Sequence, residues 1–518
     1  MPELSPAAGD HAIDMRGITK YFAETHVLAD DDVSLTVKSG EVHALVGENG
    51  AGKTTLMNIL FGLQQPDAGE IHVFGNLARI RSAEDALALG IGMVHQHFKL
   101  IDSFTVAQNV LLGSEPTRAG WLRPDAEQQI VSALSDEFGL PIDPNARVSD
   151  LPVGLQQRLE ILKALHHDAR VLILDEPTAV LTPQEARSLL DVLRGLAARG
   201  RSVILITHKL LEVIDSADRI SVMRQGRLIT TVPASSVTAS ELAELMVGRS
   251  VALSFERRPG AAADEVLHVE ELTVVAPDGT VQVDEVSLTV HRGEVVGIAG
   301  VSGNGQDALV DAITGLAHPE SGSVRLEGRD VTDRPVHERR AAGMAHIPED
   351  RLTVGLNRAT TLDENVLVSH YRERGFARWG VLRMGPIRRL AEWVRDTFAI
   401  AAAQPGEGIA TLSGGNLQKI VLGRELSGSP SCIIANQPTR GLDVGSIEFV
   451  HRTLLDARDN GAAVLLVSAE IDEVRALSDR IVVLYRGRIA GELTPDEATD
   501  DLLGLLMAGG ARAEETPS

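Results

Sequence analysis

The feature that most constrains this chain is a long internal repeat. Asp31-Asp32-Val33-Ser34-Leu35-Thr36-Val37 recurs as Asp284-Glu285-Val286-Ser287-Leu288-Thr289-Val290, and Gly40-Glu41-Val42 as Gly293-Glu294-Val295. Asp218-Arg219-Ile220 returns as Asp479-Arg480-Ile481. The repeat is about 250 residues long, a whole domain, against the ~20–50 residues of a solenoid unit. Two such domains suit a chain of 518 residues, because single cores stop growing at roughly 250–300 residues. The expected division is a first domain over 1–250, a linker over 251–265 and a second domain over 266–518. The linker holds Arg257-Arg258-Pro259-Gly260 and an alanine run, which interrupt the apolar patterning.

Composition narrows the function classes. A hydrophobic fraction of 44% with 23% charged residues supplies two sizeable cores. No apolar run reaches the ~18 residues needed to span a bilayer, and the segment from Met1 to Asp10 lacks the regions of a secretory signal. A cytoplasmic chain is expected. A formal charge of −23 argues against an extended nucleic-acid footprint, which needs clustered Lys and Arg. Cys432 is the only cysteine, so no intramolecular disulfide can form, and its apolar surroundings predict a buried, inert thiol.

The chemistry starts at Gly47-Glu48-Asn49-Gly50-Ala51-Gly52-Lys53-Thr54, a G-x-x-x-x-G-K-[ST] run. The apolar run Val42–Val46 before it reads as a buried strand, and from Thr55 apolar residues recur at helical spacing. In that setting the loop amides and the helix N-terminus point at phosphates, Lys53 neutralises them and Thr54 offers a hydroxyl to Mg²⁺. Val171-Leu172-Ile173-Leu174 then ends in Asp175-Glu176. Alternation along an extended backbone sends the two carboxylates different ways, so Asp175 can hold Mg²⁺ while Glu176 polarises an attacking water. A further apolar run, Ser202–Ile206, leads through Thr207 to His208, a candidate contact to the outermost phosphate.

With these parts the chain resembles the ATP-binding cassette (ABC) ATPases over nearly all of both halves. The resemblance implies an α/β fold of two tandem P-loop ABC ATPase domains, each with a RecA-like α/β core, an antiparallel β part and a helical subdomain. It implies ATP and Mg²⁺ as cofactors. Nucleotide contacts fall on Gly47, Glu48, Asn49, Gly50, Ala51, Gly52, Lys53, Thr54 and Thr55. Thr54, Gln96 and Asp175 become the metal ligands, and Glu176, His208 and Gln96 the catalytic residues. Phe22 best fits the aromatic that stacks on adenine, with Tyr21 beside it as the alternative.

The second copy differs in a directed way. Gly300-Val301-Ser302-Gly303-Asn304-Gly305-Gln306-Asp307 keeps the glycines and loses the lysine; Asn436-Gln437 stands for Asp175-Glu176, and Ala469 for His208. The family signature is nearly intact there, as Leu412-Ser413-Gly414-Gly415-Asn416, whereas the first copy has Leu151-Pro152-Val153-Gly154-Leu155. Pro152 has neither the hydroxyl nor the N–H of a serine. Family members pair cassettes head to tail. The resemblance therefore implies one complete site, built from Lys53, Thr54, Asp175, Glu176 and His208 with Ser413, Gly414 and Gly415, and one site that holds nearly every substitution. Losing a cation about 4 Å from a phosphate removes on the order of 4 kcal/mol at an effective dielectric of 20, roughly a thousandfold in affinity.

Two cassettes in one chain with an LSGGN signature resemble the ATPase subunits of bacterial sugar and nucleoside importers. Gly92-Met93-Val94-His95-Gln96-His97-Phe98 leans toward the nucleoside branch, with His97 as the differing residue. The resemblance implies two ABC permease membrane subunits, an extracytoplasmic solute-binding protein acting through them, no nucleic-acid partner, and a peripheral place on the cytoplasmic face of the cell membrane. The permease would be received after Gln96, over Lys99 to Asn109, and in the second half from Ile347-Pro348-Glu349-Asp350-Arg351 onward. The alternative is a soluble tandem ABC ATPase acting on ribosomes or DNA; the short linker and the lack of heptads or zinc modules weigh against it.

Overall fold

A computed structural model of the chain describes residues 11–22, 27–95, 98–118, 121–178, 181, 183–207, 209–250, 264–300, 303–400, 406–410, 412–507 and 509–510. By internal packing the chain divides into two compact units, Met1–Val251 and Ala252–Ser518. Of the linker expected at 251–265, residues 251–263 lie outside the described residues.

In the first unit the central sheet runs Arg227–Pro233, Arg219–Arg224, Val42–Gly47, Ser202–Ile206, Val171–Asp175, Ile91–Val94. All neighbours are parallel except Arg227–Pro233, which is antiparallel at its edge. Every residue of Val42–Gly47, Val171–Asp175 and Ser202–Ile206 is buried. Parallel strands covered on both faces favour apolar side chains at nearly every position, which is why these segments read as near-continuous apolar runs, with His43, Asp175 and Ser202 as the buried polar exceptions. Alternation then divides them. Ile173 and Ile204 pack with Leu56, Met57 and Leu60 of the helix Lys53–Leu60 and with Ile13, Met15, Leu35 and Val37. Leu172, Leu174, Val203 and Leu205 face the other way, onto Val106, Val131, Leu159, Leu162 and Leu193. Each such fully buried side chain contributes about 1.5–3 kcal/mol.

The first of these layers is an antiparallel sheet ordered Val27–Lys38, His11–Phe22, Ala68–Val73, Asn76–Ala78. The second is helical, with Val106–Val110, Pro124–Phe138 and Val153–His166. Thr105 and Gln108 close a reciprocal capping box on the first of these helices, satisfying two N–H groups that a helix start leaves open.

The second unit repeats the plan. Its central sheet runs Met344–Ile347, Cys432–Asn436, Ala463–Ser468, Val295–Ala299, Arg480–Tyr485, Arg488–Leu493, beside an antiparallel sheet of Val281–His291, Glu265–Val275, Ser321–Leu326 and Arg329–Asp330. Cys432 is fully buried, and burial pushes its thiol up to about 12, as expected of an inert side chain. Among the described residues no helix is long and apolar enough to cross a membrane.

Candidate functional site

The first phosphate loop leaves the buried strand Val42–Gly47 and turns into the helix Lys53–Leu60 at Gly52, whose φ is +99°. A Cβ there would stand 2.4 Å from the carbonyl oxygen of Ala29, so only glycine fits both the dihedral and the space. No side chain caps this helix start; its N–H groups and dipole are arranged to receive an anion. Lys53 Nζ folds over the loop, donating to the carbonyl oxygens of Gly47 at 2.7 Å and Glu48 at 3.0 Å. Gly50 (φ +82°) and Ala51 complete the turn, with the Ala51 amide on the Glu48 oxygen at 3.1 Å.

Thr54 and Asp175, 121 positions apart, meet here, with the Thr54 hydroxyl donating to Asp175 Oδ2 at 3.4 Å. Asp175 is buried, and burial first, then the neighbouring Glu176 carboxylate, raises it to about 6, against the pull of Lys53 and Thr54. A buried acid whose ionised form lacks enough compensation, beside a hydroxyl, is a donor set a hard divalent cation would complete.

Glu176 corrects an expectation. The strand ends at Asp175, and Glu176 sits at φ +49° with its amide bonded to the Ile206 oxygen at 2.8 Å. A left-handed turn, rather than strand alternation, separates the two carboxylates. Such a conformation in a non-glycine residue costs about 1 kcal/mol or more and gathers at functional positions. Gln437 repeats it, with φ +48° and its amide on the Val467 oxygen at 2.7 Å.

Gln96, His97, His208, Ala179, Val180 and Thr182 lie outside the described residues. Phe22 ends the strand His11–Phe22, with Lys20 Nζ 5.7 Å from its ring centroid. Tyr21 is exposed, its amide held by Asp67 at 2.7 Å.

The second loop has almost the same backbone. Gly303 and Gly305 stand at φ +89° and +100°, and the helix Gln306–Thr314 starts from Gly305 without a side-chain cap. A Cβ on Gly305 would lie 2.1 Å from the Gln282 oxygen. Val301 and Ser302 lie outside the described residues. Where Thr54 meets Asp175, Asp307 Oδ1 accepts from Asn436 Nδ2 at 3.0 Å, an amide–carboxylate bond that needs no metal. Gln437 Oε1 accepts from the Ala469 amide at 3.1 Å, so its carbonyl is engaged by backbone.

The signatures separate in the same way. Ser413 is the N-cap of the helix Gly414–Leu426, its Oγ accepting from the Asn416 amide at 3.4 Å and from Asn416 Nδ2 at 3.0 Å. Pro152 stands at the N-cap of Val153–His166 without a side-chain bond. Beside Ser413, Arg351 reaches the carbonyl oxygens of Arg440 at 2.6 Å and Gly441 at 3.4 Å, and Arg440 pairs with Glu349. Sequence reasoning missed this brace, because its members lie about 90 positions apart.

It also missed Asp30. This side chain is fully buried, lies 2.4 Å from where a Cβ on Gly52 would be, and has no partner for either carboxylate oxygen among the described residues. Burial pushes it up to about 7. The repeat puts Val283 at the equivalent place. An acidic residue within Asp30-Asp31-Asp32 reads as surface; only the strand pairing turns the first of the three inward.

Comparison with known proteins agrees with this geometry. The family described as ABC transporter is matched twice, over residues 31–179 and 283–440. The chain is 45% identical over 503 residues to the nucleoside import ATP-binding protein NupA of Lactococcus lactis, covering 97% of this chain and 99% of that one. It is 46% identical over 505 residues to the guanosine import ATP-binding protein NupO of Bacillus subtilis, covering 98% and 99%. The glucose import ATP-binding protein TsgD13 of Haloferax volcanii is 43% identical, with 97% and 96% covered. Two matched cassettes, each around its own phosphate loop, and relatives similar from end to end show that the chain belongs to the ABC transporter family.

Proposed function

We propose that this chain is the ATP-hydrolysing subunit of an importer, seated on the cytoplasmic face of a membrane and driving uptake of nucleosides, with simple sugars as the alternative cargo, through two separate permease subunits served by an extracytoplasmic binding protein. One observation carries the reading: in the first unit Lys53 lies over the phosphate loop and Thr54 meets the buried Asp175, with Glu176 next in the chain, whereas the second unit has an Asp307–Asn436 hydrogen bond at the Thr54–Asp175 place and ties Gln437 to the Ala469 amide. The nucleoside and guanosine import relatives support the cargo class and favour transport over action on ribosomes or DNA.

The Gly47–Gly52 amides and the helix start bind the phosphates of ATP, and Lys53 leaves its carbonyl partners to neutralise the outer ones. Thr54 and Asp175 hold Mg²⁺, with Gln96 as the further ligand; the ion supplies neutralisation of phosphate charge when bound. Glu176 orients and polarises the attacking water, and His208 stabilises the outermost phosphate. Phe22 stacks on adenine. Ser413, Gly414 and Gly415 are the signature residues that contact nucleotide, and a single hydrolytic site turns over.

The test is uptake into vesicles reconstituted with the permease chains and binding protein, with ATP on the side of this chain. Guanosine accumulates in an ATP-dependent way and ribose does not compete. Undiminished uptake with Glu176→Gln rejects the catalytic assignment, and ribose competition moves the cargo to the sugar class. Sedimentation of the chain with ribosomes rejects transport.

A further inference from the structure

The helical part of the second unit carries a feature that the nucleotide site does not use. Ala377–Arg378 and Val381–Leu382 form a two-stranded hairpin, with Ala377 opposite Leu382 and Arg378 opposite Val381. Its turn is Trp379-Gly380, at φ +54° and +77°, the left-handed pair that a type I′ turn requires. Glycine suits the second place. The first ordinarily takes Asn, Asp or Gly, and a bulky ring there works against its own backbone preference. Trp379 is nonetheless 91% exposed, and Val381, Leu382 and Met384 are exposed beside it. An indole held in a strained turn in open water gains nothing from the core of its own unit.

The charge around the tip is equally unlike the rest of the chain. Residues 371–389 hold six arginines, Arg372, Arg374, Arg378, Arg383, Arg388 and Arg389, and one acid, Glu373, a formal +5 in a chain of −23. Glu373 is engaged by His370 at 2.6 Å. Among the described residues only Arg388 of the six lies within ion-pair distance of a carboxylate, Asp363 at 3.9 Å. The equivalent stretch of the first half, 111–129, has two arginines against Glu115, Asp125 and Glu127, a formal −1. Its hairpin, Thr117–Arg118 with Trp121–Leu122, also exposes a tryptophan, Trp121. The two halves thus share an exposed indole, and only the second surrounds it with cations.

We propose that the Trp379 hairpin is a contact site for the surface of an anionic phospholipid bilayer. The indole, apolar in body with one N–H donor, seats at headgroup depth, as tryptophans do at membrane interfaces. The arginines take lipid phosphates, for which the guanidinium fork is matched, and each cation near an anionic leaflet raises affinity about fivefold. Apart from Arg372 on the Tyr371 hydroxyl, Arg383 on the Gly375 oxygen and Arg388 at the edge of ion-pair distance from Asp363, the cluster has no brace among the described residues. That suits a fluid array of phosphates better than a preformed protein pocket. The site goes beyond the transport reading and stands without it, since lipid contact is a property of the chain alone.

The experiment is co-flotation of the full chain with phosphatidylglycerol/phosphatidylcholine vesicles and with pure phosphatidylcholine vesicles. The chain is expected to float with the anionic vesicles, less as salt rises, and not with the neutral ones. Trp379→Ala lowers bound protein at least about tenfold, and Arg374→Gln with Arg378→Gln about fivefold for each charge, with unchanged thermal unfolding as the fold control. Trp121→Ala binds as the parent does. Absence of parent binding to anionic vesicles, or equal binding by Trp379→Ala, overturns the proposal. Loss of association with native membrane vesicles in Trp379→Ala, with phosphatidylglycerol binding intact, overturns it in favour of a protein partner.

Discussion

The two phosphate loops have nearly one backbone and two chemistries. Gly52 and Gly305 stand at φ +99° and +100°, each pressed against a carbonyl oxygen, and each starts a helix without a side-chain cap. In the first, a lysine bends over the loop and a threonine meets a buried aspartate; in the second, Asp307 and Asn436 bond directly and Gln437 is tied to backbone. Even the left-handed turn after the strand survives, at Glu176 and at Gln437. Backbone geometry is therefore common to both loops, where it supports packing and the helix start, while the lysine and the adjacent carboxylates occur only in the first.

The sharpest way to break this comparison is to exchange the turn residues. Glu176→Gln is expected to lower ATP hydrolysis by about 10²–10⁴-fold, the range of a general base, and Gln437→Glu to leave it unchanged; equal losses would dissolve the distinction between the halves. Next comes the cation. Lys53→Ala should weaken ATP binding roughly a thousandfold, measured by titration calorimetry, with Gln306→Ala nearly silent.

A smaller effect concerns the residue beneath each loop. Asp30→Val, which copies Val283, is expected to stabilise the chain against urea at pH 8. Asp30 titrates near 7 when folded and near 3.8 when unfolded, so between those values the folded state holds the extra proton and stability falls as pH rises. The advantage of the variant should accordingly grow from about pH 4 to about pH 7, by an amount on the order of 4 kcal/mol, and level off above. A pH-independent difference would mean that Asp30 is not buried in solution. The smallest effect is at the signatures, where Ser413→Ala should cost about 1 kcal/mol as a lost N-cap, whereas Pro152→Ser should shift unfolding by less and leave hydrolysis as it is.

Much of the site was legible because its parts are contiguous. Gly47 to Thr54 and Asp175-Glu176 declare themselves as runs, since a loop that cradles phosphate and a strand that ends in carboxylates are each local events. The reading of Glu176 failed in conformation, because a left-handed φ imposed by the Ile206 carbonyl partner has no signature in residue type. Asp30, the Arg351 brace and the Trp379 tip went unread for a related reason. Burial, long-range bonding and exposure belong to the assembled surface around a residue, not to its neighbours in sequence.

What the amino-acid order alone determined is the duplication, the α/β class, the phosphate loops and the asymmetry of reactive groups, all consequences of periodicity and local chemistry. The tertiary structure decided which acids are buried, which side chains meet at the Thr54–Asp175 place of each unit, and that Trp121 and Trp379 stand in water. Each of these depends on what lies opposite in space, as when the helix after one sheet strand and the end of another strand of the same sheet bring Thr54 to Asp175, 121 positions away.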